Sequence, residues 1–212
     1  MSKIVCLDLE GVLIPEIWQL FAQKTGIEIL KITTRDIPDY GELMALRLQT
    51  LAENQLSLAD VQSVLAEIEP LEGAVGFLQA VREQLQAQVV ILSDTFYEFA
   101  RPIMPKLGNP TLFCHSLEHD EQGRCVGYQL RLEDHKTQAV KAFQALNFTV
   151  YAVGDSYNDL GMLAAADKGV LFNAPQEIEA QNPMFECCDT YQSLLERLEL
   201  EADSGSATID GR

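Results

Sequence analysis

Two carboxylates stand two residues apart in Asp8-Leu9-Glu10-Gly11-Val12. In extended chain, residues i and i+2 point to the same side, so both acids can meet one site. Burying a pair of acids is costly unless something positive compensates, and a divalent cation does so. A second acidic motif, Gly154-Asp155-Ser156-Tyr157-Asn158-Asp159, adds Asp155 and Asp159 where a helix is expected to begin. Carboxylates and phosphate are both favoured at such a helix start. Several carboxylates with few nitrogen donors suit a hard, oxygen-preferring ion, Mg²⁺ rather than Zn²⁺. Ser93-Asp94-Thr95-Phe96 offers a hydroxyl and the free N–H groups of another expected helix start, which can hold a phosphoryl oxygen. Lys136 opens a further expected helix, where one ammonium can neutralise a phosphate and a nucleophile together. Singly, each has a plainer reading: a solvated turn for Asp8 and Glu10, a helix cap for Ser93, a solvated helix lysine for Lys136. Together, at successive strand ends and in this order, they point to a phosphate site.

The elements that must bring these motifs together are visible as alternating patterns. Short apolar runs at Ile4 to Leu9, Val89 to Leu92, Thr111 to Cys114, Thr149 to Val153 and Gly169 to Phe172 read as buried strands. Helical spacing of apolar residues appears at Gly73 to Gln84, Tyr97 to Leu107, Lys136 to Leu146 and Asn158 to Ala166. Continuous apolar strands between helices predict a parallel sheet covered on both faces, a doubly wound, Rossmann-like α/β core. Ligands of such sheets sit beyond the carboxyl ends of the strands, where the motifs fall.

Residues 14 to 72 carry no strand signal but three helical patterns, Pro15 to Lys24, Asp39 to Glu53 and Leu58 to Glu69. Pro15 suits a first helical turn and Ser57 an N-cap. This predicts a helical cap, residues 14–72, inserted after the first strand of a core formed by residues 1–13 and 73–200. Insertions at that edge commonly close over a substrate and exclude water. Ser116 to Arg131, with Asp120-Glu121-Gln122-Gly123 in its middle, reads as a β-hairpin. Residues 201–212 lack periodicity and are expected to form a disordered tail.

The 212 residues carry 15 Lys+Arg against 32 Asp+Glu, a net charge of -17, which repels phosphate backbones and anionic lipid. With no basic patch to offset it, neither a nucleic acid nor a membrane is expected as partner. The run Ile4-Val5-Cys6-Leu7 is broken by Asp8 and Glu10, too short and too charged for a signal segment or span, so a cytoplasmic protein is expected. Cys6, Cys114, Cys125, Cys187 and Cys188 match no disulfide or zinc pattern and read as reduced thiols. His115 and His119 lie in an expected strand, about 13 Å apart at strand rise, and read as ordinary polar residues.

These motifs resemble those of the haloacid dehalogenase-like phosphohydrolases: the Asp8-x-Glu10 pair, Ser93, Lys136 and Gly154-Asp155-x-x-x-Asp159, with a helical cap after the first motif. The likeness covers nearly the whole chain up to about residue 200. Closer still, Cys6 to Leu13, Thr33 to Tyr40, Ile91 to Phe99 and Gly154 to Asp159 look like the phosphoserine phosphatase branch that also transfers phosphate to homoserine. The resemblance implies a Mg²⁺-dependent enzyme acting on O-phosphoserine. Asp8 would attack phosphorus to form an aspartyl-phosphate, and Glu10 would protonate the leaving serine oxygen and later deprotonate the hydrolytic water. Mg²⁺ would be held by the carboxylates of Asp8 and Asp155 and the backbone carbonyl of Glu10, with Asp159 orienting Lys136 or a water at the metal. Ser93 and Lys136 would bind phosphoryl oxygens, Asp94 and Thr95 in the same motif would belong to the substrate-binding site, and Asn158 would reach the phosphate or nucleophile. Glu16 would pair with the substrate ammonium, and Arg47 would clamp its carboxylate with a bidentate fork. The plain reading of Arg47 is a solvated helix residue.

Three positions depart from what is usual in phosphoserine phosphatases at large. Glu10 stands where Asp is usual, Gly11 where a hydroxyl residue is usual, and Asp94-Thr95 where glycines follow the motif's serine. A pocket altered in this way would admit an alcohol such as homoserine, in place of water, to attack the aspartyl-phosphate. Two other readings stay open: a phosphatase for a nucleotide or sugar phosphate, and a catalytically silent phospho-ligand-binding domain.

Overall fold

The computed structural model describes residues 2–33, 36–37 and 39–199. The tail expected at 201–212 lies outside the described residues. In chain order the elements are β1 (Lys3–Leu7), α1 (Ile17–Thr25), α2 (Tyr40–Glu53), α3 (Leu58–Leu65), α4 (Ala74–Glu83), β2 (Ala87–Phe96), α5 (Tyr97–Ala100), β3 (Thr111–His119), β4 (Cys125–Gln129), α6 (His135–Ala145), β5 (Thr149–Gly154), α7 (Leu160–Ala165), β6 (Lys168–Phe172), α8 (Gln176–Gln181), β7 (Glu186–Cys188) and α9 (Tyr191–Glu199). Short 3₁₀ turns occupy Glu28–Lys31, Met104–Leu107 and Tyr157–Asp159.

The strands form one seven-stranded sheet in the order β4-β3-β2-β1-β5-β6-β7. Every neighbouring pair is parallel except β3 and β4. The doubly wound α/β core expected from the apolar runs is therefore borne out. Alternation along the strands sorts the core into two layers. Val5, Leu7, Val89, Ile91, Tyr151 and Val153 face one side, with Phe77 and Leu78 of α4 and Leu194 and Leu198 of α9. Ile4, Cys6, Val90, Leu92, Val150 and Ala152 face the other, with Val140 of α6 and Met162 and Leu163 of α7. The chain winds from β1 outward to β2 and β3 and then crosses back to β5 on the other side of β1. That reversal opens a crevice at the carboxyl ends of β1 and β5, where Asp8 and Asp155 stand.

Several boundaries differ from the sequence expectation. β2 runs on to Phe96, so Ser93, Asp94 and Thr95 lie in a strand and not at a helix start. Pairing with β3 resumes at Phe96↔His115 after a register shift beyond Leu92, and this keeps the segment extended. The single helix expected over Tyr97 to Leu107 splits into the four-residue α5 and a 3₁₀ turn, because Pro102 and Pro105 remove two N–H donors. β7, α8 and α9 carry too short or too polar a pattern to have been expected. All five cysteines are free thiols.

Between β1 and α4 the chain forms only helices and loops among the described residues. Asp39 caps α2 by accepting from Glu42 N–H, and Ser57 and Asp60 form a reciprocal capping box at α3. The β3–β4 hairpin has its turn set by Asp120, whose Oδ1 accepts from the N–H groups of Gln122 and Arg124. It reaches the inserted helices: Leu58 N–H donates to Gly123 O at 2.7 Å, and the Tyr40 and Tyr128 rings meet edge to face at 5.7 Å. No helix among the described residues is long and apolar enough to cross a membrane.

Candidate active site

Asp8 follows directly on β1, and its N–H donates to Val153 O of β5 at 3.0 Å. The chain then turns sharply: the N–H groups of Leu13 and Ile14 both donate to Leu9 O, and Gly11 takes a left-handed φ of 76°. Tyr191 of α9 braces this turn by donating to Val12 O at 2.6 Å. The turn separates the paired acids. Asp8 is buried at the sheet end, while the Glu10 carboxylate swings toward the inserted helices, where its Oε2 accepts from Ile17 N–H at 2.8 Å. Extended i, i+2 geometry therefore stops at Asp8, and the Glu10 carboxylate does not join the acidic cluster of Asp8, Asp155 and Asp159.

In that cluster, ligand oxygens of the three aspartates lie within 4.8 Å of one another. Lys136, buried at the start of α6, binds across it: its Nζ lies 2.8 Å from Asp159 Oδ1, 3.1 Å from Asp8 Oδ1 and 3.2 Å from Asp94 Oδ2. Asp159 is fully buried, and its Oδ2 accepts from Asp155 N–H, Ser156 N–H and the Ser156 hydroxyl. Both of its oxygens are thus engaged in fixing Lys136 and the loop after β5. Gly154 permits this, since a Cβ there would lie 2.3 Å from Asp159 Cβ.

The electrostatics follow from this crowding. Burial, then the neighbouring Asp159, pushes the Asp8 carboxyl well above its ordinary range, against the pull of Lys136. Asp155 is raised to about 7 by burial, Asp159 and Glu16. Burial alone would lower Lys136, but Asp159, Asp8 and Asp94 outweigh it and keep it protonated. An all-oxygen, over-negative trio of this kind fits a hard divalent cation. Gly11 clears the space beside it, because a Cβ there would lie 2.3 Å from Asp155 Oδ2.

A second group of charged residues comes from α1, α2 and the turn after β1. Glu16, at the N-cap of α1, lies beside Glu10. Burial and Glu16 raise Glu10 to about 8, opposed by the Ile17 N–H and Arg47. Arg47 is buried on α2, not solvated: its guanidinium lies 4.6 Å from the Trp18 ring centroid and donates to Ile32 O at 3.0 Å. Its Nε is buried without a partner in the protein.

Ser93 is buried, with its Oγ accepting from Thr95 N–H at 3.3 Å, and the Thr95 side chain is buried in the same stretch of β2. Asp94 enters the site more fully, accepting from Asn158 Nδ2 at 2.6 Å and lying 3.0 Å from His135 Nε2. Two residues were missed. His115, expected to be ordinary, is buried with Nε2 3.5 Å from Asp94 Oδ1, and His135 is buried beside it. Their position was the available signal: one lies in the strand paired to β2 and the other immediately precedes Lys136, both at the catalytic edge.

The chain matches the family model of haloacid dehalogenase-like hydrolases over residues 2–167. It is 55% identical over 207 residues to the phosphoserine phosphatase ThrH of Pseudomonas aeruginosa, covering 98% of this chain and 100% of that one. It is 56% identical over 192 residues to a phosphoserine phosphatase of Pseudomonas syringae pv. tomato, covering 91% and 80%. Among solved structures, a phospho-aspartyl intermediate analogue of phosphoserine phosphatase superposes with a TM-score of 0.76 at 20% identity, over 92% of this chain and 98% of that one. A substrate-bound phosphoserine phosphatase gives the same TM-score at 19% identity, over 93% and 98%. With the clustered aspartates, the buried lysine, the family model over residues 2–167 and relatives of more than half identity over at least 91% of its length, the chain belongs to the haloacid dehalogenase-like hydrolase family.

Proposed function

We propose that this chain is a Mg²⁺-dependent phosphomonoesterase of the cytoplasm that hydrolyses O-phosphoserine and also passes the phosphoryl group to homoserine. The observation that carries the reading is the alignment of two groups. Asp8 lies 3.1 Å from Lys136 within the aspartate cluster, and Arg47, Glu16 and Glu10 form a second charged group close enough to act on Lys136 and Asp155. The first group suits a phosphate and the second an amino acid. Relatives of more than half identity named phosphoserine phosphatase support the same substrate. A nucleotide would want a free aromatic face, whereas the Trp18 ring is already covered by Arg47.

In this reading residues 14–72 form a cap over a core of residues 1–13 and 73–200. Mg²⁺, held by Asp8, Asp155 and the Glu10 carbonyl, supplies the positive charge that lets an anionic carboxylate approach an anionic phosphate. Lys136 and Ser93 hold phosphoryl oxygens together with Asn158, and Asp159 keeps Lys136 in place. Arg47 pairs with the substrate carboxylate, and Glu16 with its ammonium. A carboxylate oxygen of Asp8 bonds to phosphorus as the bond to the serine oxygen breaks, and Glu10 gives that oxygen its proton. Its carboxyl, raised to about 8, is protonated at neutral pH as this step requires. Glu10 then takes a proton from water, whose oxygen displaces Asp8 from phosphorus. Homoserine attacking in place of water leaves as O-phosphohomoserine.

The test is to incubate the protein with O-phosphoserine, Mg²⁺ and homoserine and to measure inorganic phosphate and phosphohomoserine together. Both are expected. Absence of both, with turnover of a nucleotide or sugar phosphate, would overturn the substrate assignment.

A further inference from the structure

Asp94 stands where phosphoserine phosphatases usually carry glycine, and no step above uses its carboxylate. Its Oδ2 accepts from Asn158 Nδ2 at 2.6 Å and lies 3.2 Å from Lys136 Nζ. These are the two nitrogen donors assigned above to the phosphoryl group, so one oxygen of Asp94 engages both at once. Its Oδ1 lies 3.0 Å from His135 Nε2 and 3.5 Å from His115 Nε2, and the two rings meet edge to face at 4.7 Å. The Asp94 side chain is 35% exposed, whereas Lys136 and both histidines are buried.

Two familiar roles do not suit this arrangement. Asp94, His115 and His135 offer three ligand atoms within 4.8 Å of one another, the geometry of a metal site. However, His115 Nδ1 accepts from the Arg131 backbone N–H at 3.2 Å, which leaves the ring proton on Nε2. The nitrogen facing Asp94 then has no lone pair for a cation, and the Lys136 ammonium repels one. A general base works best with a pKa near the operating pH. Burial alone would raise Asp94, but Lys136, both histidines and Asn158 hold it far below that range. What remains is a fixed anion lying across two phosphate donors.

We propose that Asp94 is a built-in stand-in for the phosphoryl group, engaging Lys136 and Asn158 in the free enzyme until a phosphate displaces its Oδ2, with His115 and His135 retaining Oδ1. The assignment of those donors rests on the proposed phosphatase reading. A carboxylate that must yield to a second anion weakens binding of the product, so inorganic phosphate leaves readily. The amide or hydroxyl of a neutral replacement would oppose it far less.

Calorimetric titration of inorganic phosphate into the Mg²⁺-loaded protein tests this, comparing wild type with Asp94→Asn and Asp94→Ser. Both variants are expected to bind phosphate about tenfold or more tightly, from loss of one like charge at close range. Unchanged or weaker binding in variants that melt like the wild type would overturn the proposal. If neither variant folds, a crystal structure of the wild type with Mg²⁺ and phosphate decides. A phosphate oxygen should then contact Lys136 Nζ and Asn158 Nδ2, with Asp94 Oδ2 out of reach of both. Phosphate bound beside an intact Asp94–Asn158 hydrogen bond would refute displacement. Because this readout is phosphate binding, failure to turn over O-phosphoserine would count against the proposed substrate alone.

Discussion

A Cβ on Gly11 would lie 2.3 Å from Oδ2 of Asp155, so the turn after Asp8 and the loop after β5 meet with no room for a side chain between them. The left-handed φ of 76° at Gly11 adds a backbone reason for glycine. Introducing the hydroxyl residue usual in phosphoserine phosphatases, as Gly11→Ser, should displace Asp155. The expected result is Mg²⁺ affinity about 10- to 100-fold weaker, the range typical of disturbed ligand orientation. Titration of Mg²⁺ by calorimetry checks this, and unchanged affinity would show that the contact does not shape the cation site.

Arg47, proposed above to pair with the substrate carboxylate, is buried, stacked on Trp18 and close to Glu10 and Glu16. Arg47→Ala should raise the KM for O-phosphoserine by about 100-fold, the cost of about 3 kcal/mol for a charge-assisted pair. An aryl phosphate lacking carboxylate and ammonium should lose little. Steady-state kinetics on both substrates tests the point; equal losses would remove Arg47 from substrate recognition.

Stability of the metal-free protein should depend on pH in a defined direction. Burial first, then acidic neighbours, raises Asp155 to about 7 and Glu10 to about 8. For a carboxyl whose folded pKa is raised, the stabilisation is complete below the unfolded value, about 4. It is lost as pH rises through the folded value. Metal-free protein should therefore melt at progressively lower temperature from about pH 5 to about pH 8. Mg²⁺ replaces protons in the aspartate cluster, so it should raise the melting temperature more at pH 8.5 than at pH 6. Thermal melts with Mg²⁺ and with chelator at both pH values give the comparison, and equal shifts would contradict it.

The hairpin has a role that its sequence did not disclose. Tyr128 of β4 meets Tyr40 of α2, and Gly123 O accepts from Leu58 N–H of α3, so the hairpin buttresses the inserted helices. An aromatic pair contributes about 0.5–1.5 kcal/mol beyond its buried area. Tyr128→Ala should accelerate amide hydrogen exchange in α2 and α3 while leaving β1 and β5 protected. Uniform change across the protein would indicate general destabilisation instead.

Much of the fold was legible because buried parallel strands write themselves as uninterrupted apolar runs, as at Val89 to Leu92 and Thr149 to Val153. That Asp8, Lys136 and the second acidic motif would come together was legible because each follows or opens such an element. What escaped was set by contacts distant in sequence. The environment of Asp94 depends on His115 from β3 and His135 from α6, which meet only after the sheet is assembled. Arg47 is buried because Trp18, 29 residues earlier in the numbering, supplies the face it stacks on. The extension of β2 through Thr95 depends on pairing with β3, which overrides the serine-aspartate-threonine pattern of a helix cap.

The central claim is that Asp8 carries the phosphoryl group of O-phosphoserine. Its most direct measurement is a rapid acid quench of the Mg²⁺-loaded protein mixed with ³²P-labelled O-phosphoserine, following label on protein and in inorganic phosphate, for wild type and Asp8→Asn. The wild type should show label on protein that forms and decays as phosphate appears, and the folded variant should show neither. Phosphate release by Asp8→Asn at the wild-type rate, or no release by the wild type, would contradict the account.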